Sequence, residues 1–267
     1  MKKNVALTLI LLIFIILLAV LLVFTYNTAK SYALSDSCLN YELAFSEKNQ
    51  KNIFSIDKIT YFSSANADIA TNSNSSFTVS NLYQYTDIAF FINPNSDKLT
   101  EKNTLKSVEL TDIEFVTTPS SGKPNLYYKN LNDFATSKFS EDNVINSTIT
   151  FETTSENSID YSKPVLYNNC ANPITICYVN SNIIDNYTLS NDVSNIAHNG
   201  ALLKSCGITL NSIASKITLN IKITNNLDEV YICPITLAIP LSTENATIYD
   251  GSLTLKNSVD YKFIRIN

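Results

Sequence analysis

Lys216-Ile217-Thr218-Leu219-Asn220-Ile221-Lys222-Ile223-Thr224, then the turn Asn225-Asn226-Leu227-Asp228, then the run from Val230 to Pro240, is the stretch that decides the fold. In the first run Ile217, Leu219, Ile221 and Ile223 alternate with Thr218, Asn220, Lys222 and Thr224. Successive side chains of a β-strand point to opposite faces, so this pattern buries one face and wets the other. In the second run Tyr231, Cys233, Ile235, Leu237 and Ile239 share one parity. Two such runs across a short turn form an antiparallel hairpin. Pro234 and Pro240 have no N–H to donate, which places the second strand at an edge or at a bulge.

Outward from this hairpin the same texture recurs. Short apolar or alternating runs, separated by Asn, Ser, Asp and Pro clusters, predict strands over Ile53–Phe62, Leu82–Ile92, Leu105–Val116, Asn143–Thr153, Ile174–Val179, Lys216–Thr224, Val230–Pro240 and Val259–Ile266. Ile88-Ala89-Phe90-Phe91-Ile92 is apolar at both parities and predicts a central strand. Helical interruptions are expected at Leu131–Lys138 and Ala201–Cys206, the second closed by Gly207 as a left-handed cap. Many short strands with few helices predict an all-β fold, a mainly antiparallel β-sandwich, jelly-roll-like or Ig-like. One domain over residues 53–267 is expected. A tandem pair split in the polar stretch Thr154–Lys163 is the alternative.

Ahead of this domain Val5–Phe24 runs for twenty residues without a charge, preceded only by Met1-Lys2-Lys3-Asn4. A helix of that length, at about 1.5 Å per residue, matches the roughly 30 Å hydrocarbon core of a bilayer. The run is longer than the apolar core of a cleaved signal, about 7 to 15 residues, so a retained signal-anchor is expected. Lys2 and Lys3 put the N-terminus on the cytoplasmic side. The expected organisation is therefore a cytoplasmic tail at 1–4, a single transmembrane helix at 5–24, a stalk with a short helix at 25–52 and an extracytoplasmic domain at 53–267, located at the cell membrane.

Composition removes several function classes. The net charge is −5, and without Lys2 and Lys3 the remainder carries −7, so no basic footprint for nucleic acid exists. The four glycines, Gly122, Gly200, Gly207 and Gly251, are too far apart for a phosphate-cradling loop or a nucleophile elbow. His198 is the single histidine, so a histidine metal cage cannot form, and a Ser/His/Asp triad would have to use it without any supporting motif. Asn93, Asn95 and Asp97 have the spacing of calcium ligands, but Lys98 stands where the loop needs Gly and Thr104 where it needs Glu. The carboxylates Asp228, Glu229 and Asp250 sit at turns, where Asp serves local hydrogen bonding. The sequence thus predicts no catalytic, cofactor-binding or metal-ligating residue. Four Asn-x-Ser/Thr sequons, at Asn74, Asn146, Asn186 and Asn245, are fewer than a chain this rich in Asn, Ser and Thr holds by chance.

Five cysteines, Cys38, Cys170, Cys177, Cys206 and Cys233, lie on the side expected to be oxidising. Disulfides Cys170–Cys177 and Cys206–Cys233 are the candidate pairs, with small buried thiols as the alternative for Cys177 and Cys233. Cys38, nearest the expected membrane surface, is the candidate for intermolecular pairing. The resulting expectation is a non-enzymatic surface role in adhesion, ligand capture or envelope structure. Its partners would be the lipid bilayer through Val5–Phe24 and a surface protein or glycan, met by exposed loops such as Asn66–Asn74 and Thr118–Pro124. Two alternatives compete. A pilin-like assembly subunit would normally carry an acidic residue in the apolar run, and Val5–Phe24 has none. An anchored hydrolase would need its acids gathered from scattered positions.

Overall fold

A computed structural model describes residues 17–26, 52–73, 76–96, 98–153, 165–166, 172–189, 199–240, 242–243, 246–247, 249–256 and 261–266. The chain divides into two units, Met1–Lys51 and Asn52–Asn267. In the first, residues 17–26 form helix α1, and Leu17, Leu18, Val20, Leu21, Leu22, Val23 and Phe24 on it are exposed. Among the described residues no helix is long and apolar enough to cross a membrane. The earlier part of Val5–Phe24 and most of the expected stalk lie outside the described residues, as do Cys38, Cys170, His198 and the stretch Thr154–Lys163.

The second unit is built of β1 (Phe54–Thr71), β2 (Phe77–Pro94), β3 (Leu105–Thr117), β4 (Lys123–Tyr128), β5 (Ile149–Thr153), β6 (Val165–Leu166), β7 (Asn172–Ile184), β8 (Tyr187–Leu189), β9 (Ser215–Asn225), β10 (Val230–Ile239), β11 (Ser242–Thr243), β12 (Ala246–Thr247), β13 (Gly251–Lys256) and β14 (Ile264–Arg265), with the short helix α2 (Ala201–Ser205) before β9. One sheet runs β13-β1-β2-β7-β4, with β8 added beside β2, and the other β14-β10-β9-β3-β5-β6. All pairings are antiparallel except β5 with β6. The fold is an all-β, mainly antiparallel two-sheet sandwich.

The deciding hairpin forms as read: β9 and β10 pair from Thr224 with Val230 to Ser215 with Ile239. Ile217, Leu219, Ile221, Ile223, Tyr231, Cys233, Ile235, Leu237 and Ile239 are all buried. Asn225 builds the turn. Its Oδ1 accepts the backbone N–H groups of Leu227 (3.0 Å) and Glu229 (2.8 Å), and its Nδ2 donates to the Lys102 carbonyl. β10 is an edge strand except at Tyr231 and Ile232, which pair with β14. β2 is central, between β1 and β7.

The main core lies between the sheets. Ile59, Tyr61, Ile88, Phe90, Ile174, Ile176 and Tyr178 from one meet Val108, Leu110, Ile217 and Ile221 from the other. Burying side chains of this kind contributes about 1.5–3 kcal/mol each. Rings lock the layers: Phe54 meets Tyr231 edge-on at 5.3 Å, and the Tyr178 hydroxyl shares a 2.8 Å hydrogen bond with Ser215 across the gap. A second cluster, with Ala65, Val79, Leu82 and Ile183 under Leu202, Leu203 and Cys206, extends one end of the β1–β2–β7 sheet.

Departures from the sequence reading have local causes. β1 and β2 are longer than predicted, and a register shift between Ile56 and Lys58 moves the buried parity from Phe54 and Ile56 to Ile59 and Tyr61. That bulge hides the period-2 signal. Asn66–Thr71 is consequently strand, not the loop expected over Asn66–Asn74. The helix expected at Leu131–Lys138 reduces to one 3₁₀ turn, Leu131–Asp133, because Ala135 takes φ 65°, a left-handed conformation no α-helix admits. The strand expected from Asn143 begins only at Ile149, and Glu141–Asn143 is a 3₁₀ turn whose N–H at Asp142 is accepted by Ser140 Oγ. α2 ends as expected, with Gly207 at φ 72°. Cys177, Cys206 and Cys233 are buried free thiols. Cys206 and Cys233 belong to separate clusters, so the staple expected between them is not formed in this structure.

Candidate functional site

In β2 the residues of even number from Thr86 to Ile92 face the other sheet, which turns Tyr83, Tyr85 and Asp87 to the outer face. In β7 the same rule puts Cys177 and Val179 outward, and in β4 Tyr127. The register sets Asp87 opposite Cys177 and Cys177 opposite Tyr127, so three strands bring these side chains into one row. Lys129, two residues beyond Tyr127, continues on that face.

An outer sheet face normally meets water, but here the β4–β5 connection folds over it. Phe134 packs 6.3 Å from Phe62, and Phe139 packs 5.0 Å from Tyr127 and 5.9 Å from Tyr83. Tyr127 Oη donates to Glu141 at 3.2 Å. Beneath this cover lie two opposite charges with side-chain exposures of 0% for Asp87 and 1% for Lys129. Lys129 Nζ donates to Asp87 Oδ1 at 2.7 Å, to Oδ2 at 2.6 Å and to the Thr136 carbonyl at 2.5 Å. The Ala135 N–H donates to Asp87 Oδ2 at 2.8 Å. The Lys129 ammonium also stands 5.2 Å from the Tyr85 ring centre.

Burial dominates the electrostatics. It pushes the Asp87 carboxyl above its ordinary range, against the opposing pull of Lys129 and of hydrogen bonds from Lys129, Cys177 and Ala135. It also drives the Cys177 thiol well above its ordinary value, with the Asp87 charge adding to the effect. Cys177 therefore stays a protonated thiol at neutral pH and is no nucleophile. Beside the pair a cleft of about 380 Å³ opens to solvent between Lys129, Asp133, Lys138, Phe139 and Asp142. Its charges are mixed rather than uniformly acidic.

Of the described residues singled out in the sequence, only Cys177 belongs to this site. Cys206 caps the end of α2 in the second cluster and Cys233 lies in the main core, where burial pushes its thiol up to about 12. Asp228 pairs with Lys106 at the surface, and Glu229 with Arg265. Thr118–Gly122 is the β3–β4 loop, and Ser120 and Ser121 in it hydrogen-bond to the Ser212 carbonyl. Among the described residues no three of His, Cys, Asp and Glu gather closely enough to hold a metal ion. Asp87 and Lys129 were not read from the sequence, although each carries a signal. Asp87 interrupts the apolar course of β2, and Lys129 directly follows the apolar run Leu126-Tyr127-Tyr128. A charge inside an apolar run needs a partner. No family model, curated protein or solved structure matches this chain.

Proposed function

We propose that this chain is a membrane-anchored surface protein: a β-sandwich held outside the membrane by Val5–Phe24, with a non-enzymatic role in adhesion, ligand capture or envelope structure. The observation that carries the reading is the uncharged run Val5–Phe24, flanked by Lys2 and Lys3. The exposed apolar side chains of α1 support it, because a bilayer is the solvent such a surface suits. The sandwich supports the non-enzymatic part of the reading. Its Asp87, Lys129 and Cys177 side chains are buried rather than presented in an open groove.

The test is fractionation of cells making the full-length chain with a C-terminal tag. Retention in the membrane pellet after alkaline extraction, with the tag removed by protease added to intact cells, is the expected result. A tag that is released with soluble protein, or that resists external protease until the cells are broken, would overturn the placement. A pull-down from intact envelope with the detergent-solubilised protein then separates capture of a protein or glycan from capture of the chain's own copies.

A further inference from the structure

We infer that Asp87 and Lys129 are joined in the mature protein by a side-chain amide. The inference rests on the geometry of the sealed pair and does not depend on where the protein is located.

Four observations carry it. The amine lies within 2.7 Å of both carboxyl oxygens, and both side chains are buried. Groups brought to near-attack geometry react with effective concentrations of about 10⁵–10⁸ M, and here a turn of the carboxyl plane is what separates the ion pair from that geometry. Water drives such a condensation backwards, and the two side chains, 0% and 1% exposed, are shielded from the cleft that opens beside them. A buried charge pair is also a costly ground state, since desolvation of both ions opposes their attraction, while the amide carries no charge. Finally, the partners an amide needs are already present. The Ala135 N–H points at Oδ2, which becomes the amide oxygen, and the Thr136 carbonyl accepts from Nζ, which becomes the amide nitrogen. Oδ1, the oxygen to be lost, accepts from Lys129 itself.

The step balances without any co-reactant. One proton passes from the ammonium to Oδ1, giving a neutral amine and a carboxylic acid. The carboxyl turns about its Cβ–Cγ bond, a torsion with shallow preferences, and the nitrogen lone pair attacks Cγ. The Cγ–Nζ bond forms while negative charge on Oδ2 is held by the Ala135 N–H. A second proton moves directly from nitrogen to Oδ1. The Cγ–Oδ1 bond breaks and one water leaves. Of the three ammonium protons two depart in that water and one stays on the amide, and nothing is oxidised or reduced. The product ties β2 to the end of β4 across β7 and closes a loop between residues 42 apart.

The test is peptide mapping of the full-length protein after denaturation and reduction. The expected result is a branched peptide holding Asp87 and Lys129, lighter by one water than its two arms, with Lys129 neither cleaved by trypsin nor acetylated after unfolding. The Lys129→Arg variant keeps the charge and should yield only linear peptides. Recovery of separate linear peptides from the wild-type protein, with Lys129 acetylated once unfolded, would overturn the inference and leave a plain ion pair. A branched peptide surviving in the arginine variant would also overturn it, because the link would then lie elsewhere.

Discussion

Replacing Lys129 by Met leaves the Asp87 carboxyl buried with only the Ala135 N–H and the Cys177 thiol beside it. The proper reference is the double variant Asp87→Leu/Lys129→Met, in which neither charge remains, and neither variant can form an amide. In the single variant the folded-state pKa of Asp87, already raised by burial, rises further once the opposing lysine is gone. The folded state then holds a proton that the unfolded chain, with a carboxyl near 3.9, gives up as pH rises. Stability is therefore lost with increasing pH, by about 1.4 kcal/mol per unit from pH ~4 upward until the folded pKa is passed. A fully buried carboxyl shifts by up to about 3–5 units, so the gap between variants should reach roughly 3–5 kcal/mol near pH 7 and shrink to about 1 near pH 5. For a domain of this size that corresponds to a Tm difference on the order of 10 °C at neutral pH. The assay is thermal and urea unfolding of both full-length variants in non-ionic detergent, followed by circular dichroism from pH 5 to 8. A gap that stays constant across this range, or one below about 1 kcal/mol at pH 7, would show that water reaches Asp87 and that the β4–β5 connection does not seal the face.

Gln84 is fully buried and neither its Oε1 nor its Nε2 finds a partner, so Gln84→Met should raise stability by about 1–2 kcal/mol, read as a higher urea midpoint at unchanged m-value; a fall would show that the amide is hydrated or bonded. Gly122 sits at φ 98° with the Asn180 side chain where a Cβ would stand, so Gly122→Ala should cost about 1–3 kcal/mol or more, whereas an unchanged Tm would mean that the β3–β4 turn adapts freely. Cys177, Cys206 and Cys233 should resist alkylation in the folded protein at pH 8 and react in urea, as mapped by peptide mass; labelling of Cys177 in the folded state would contradict its burial and raised pKa.

The legible parts of this fold are those where one face is uniformly apolar and no bulge intervenes. β9 and β10 qualify, since Ile217 to Ile223 and Tyr231 to Ile239 each hold one parity throughout. β1 does not, because its bulges near Asp57 and Ala67 change parity and mix Ser63, Ser64 and Asn66 into buried and half-buried positions. β4 was missed altogether. Lys123-Pro124-Asn125 opens like a turn, and only its pairing with β7 makes it a strand. β13 was missed for a similar reason: Gly251-Ser252 reads as a turn, yet both pair with β1. The Asp87–Lys129 site was illegible because its two halves are 42 residues apart and meet only through β7, which neither adjoins in sequence. Periodicity reports burial against a neighbour and is silent on which charge a distant strand supplies.

The covering of the outer face bears on where this domain can meet anything else. A sandwich usually leaves the outer face of each sheet to solvent. Here the β13-β1-β2-β7-β4 sheet has a second apolar layer on its outside, made by Phe62, Tyr83, Tyr85, Tyr127 and Val179 under Phe134 and Phe139. The opposite sheet keeps a polar outer face, where Lys222 pairs with Glu109 at 2.5 Å and Asn220 donates to Asp112 at 2.8 Å. Edges remain, and β10 and β4 each carry a proline. β10 beyond Ile232 carries Pro234, whose missing N–H weakens it as a template for a further strand. Among the described residues β4 on the other sheet pairs with β7 and, through a single bridge from Tyr127, with Val144, and Lys123 stands exposed at its start. Pro124 lies in this strand and lacks an N–H just as Pro234 does, so neither edge offers a full row of donors to an added strand.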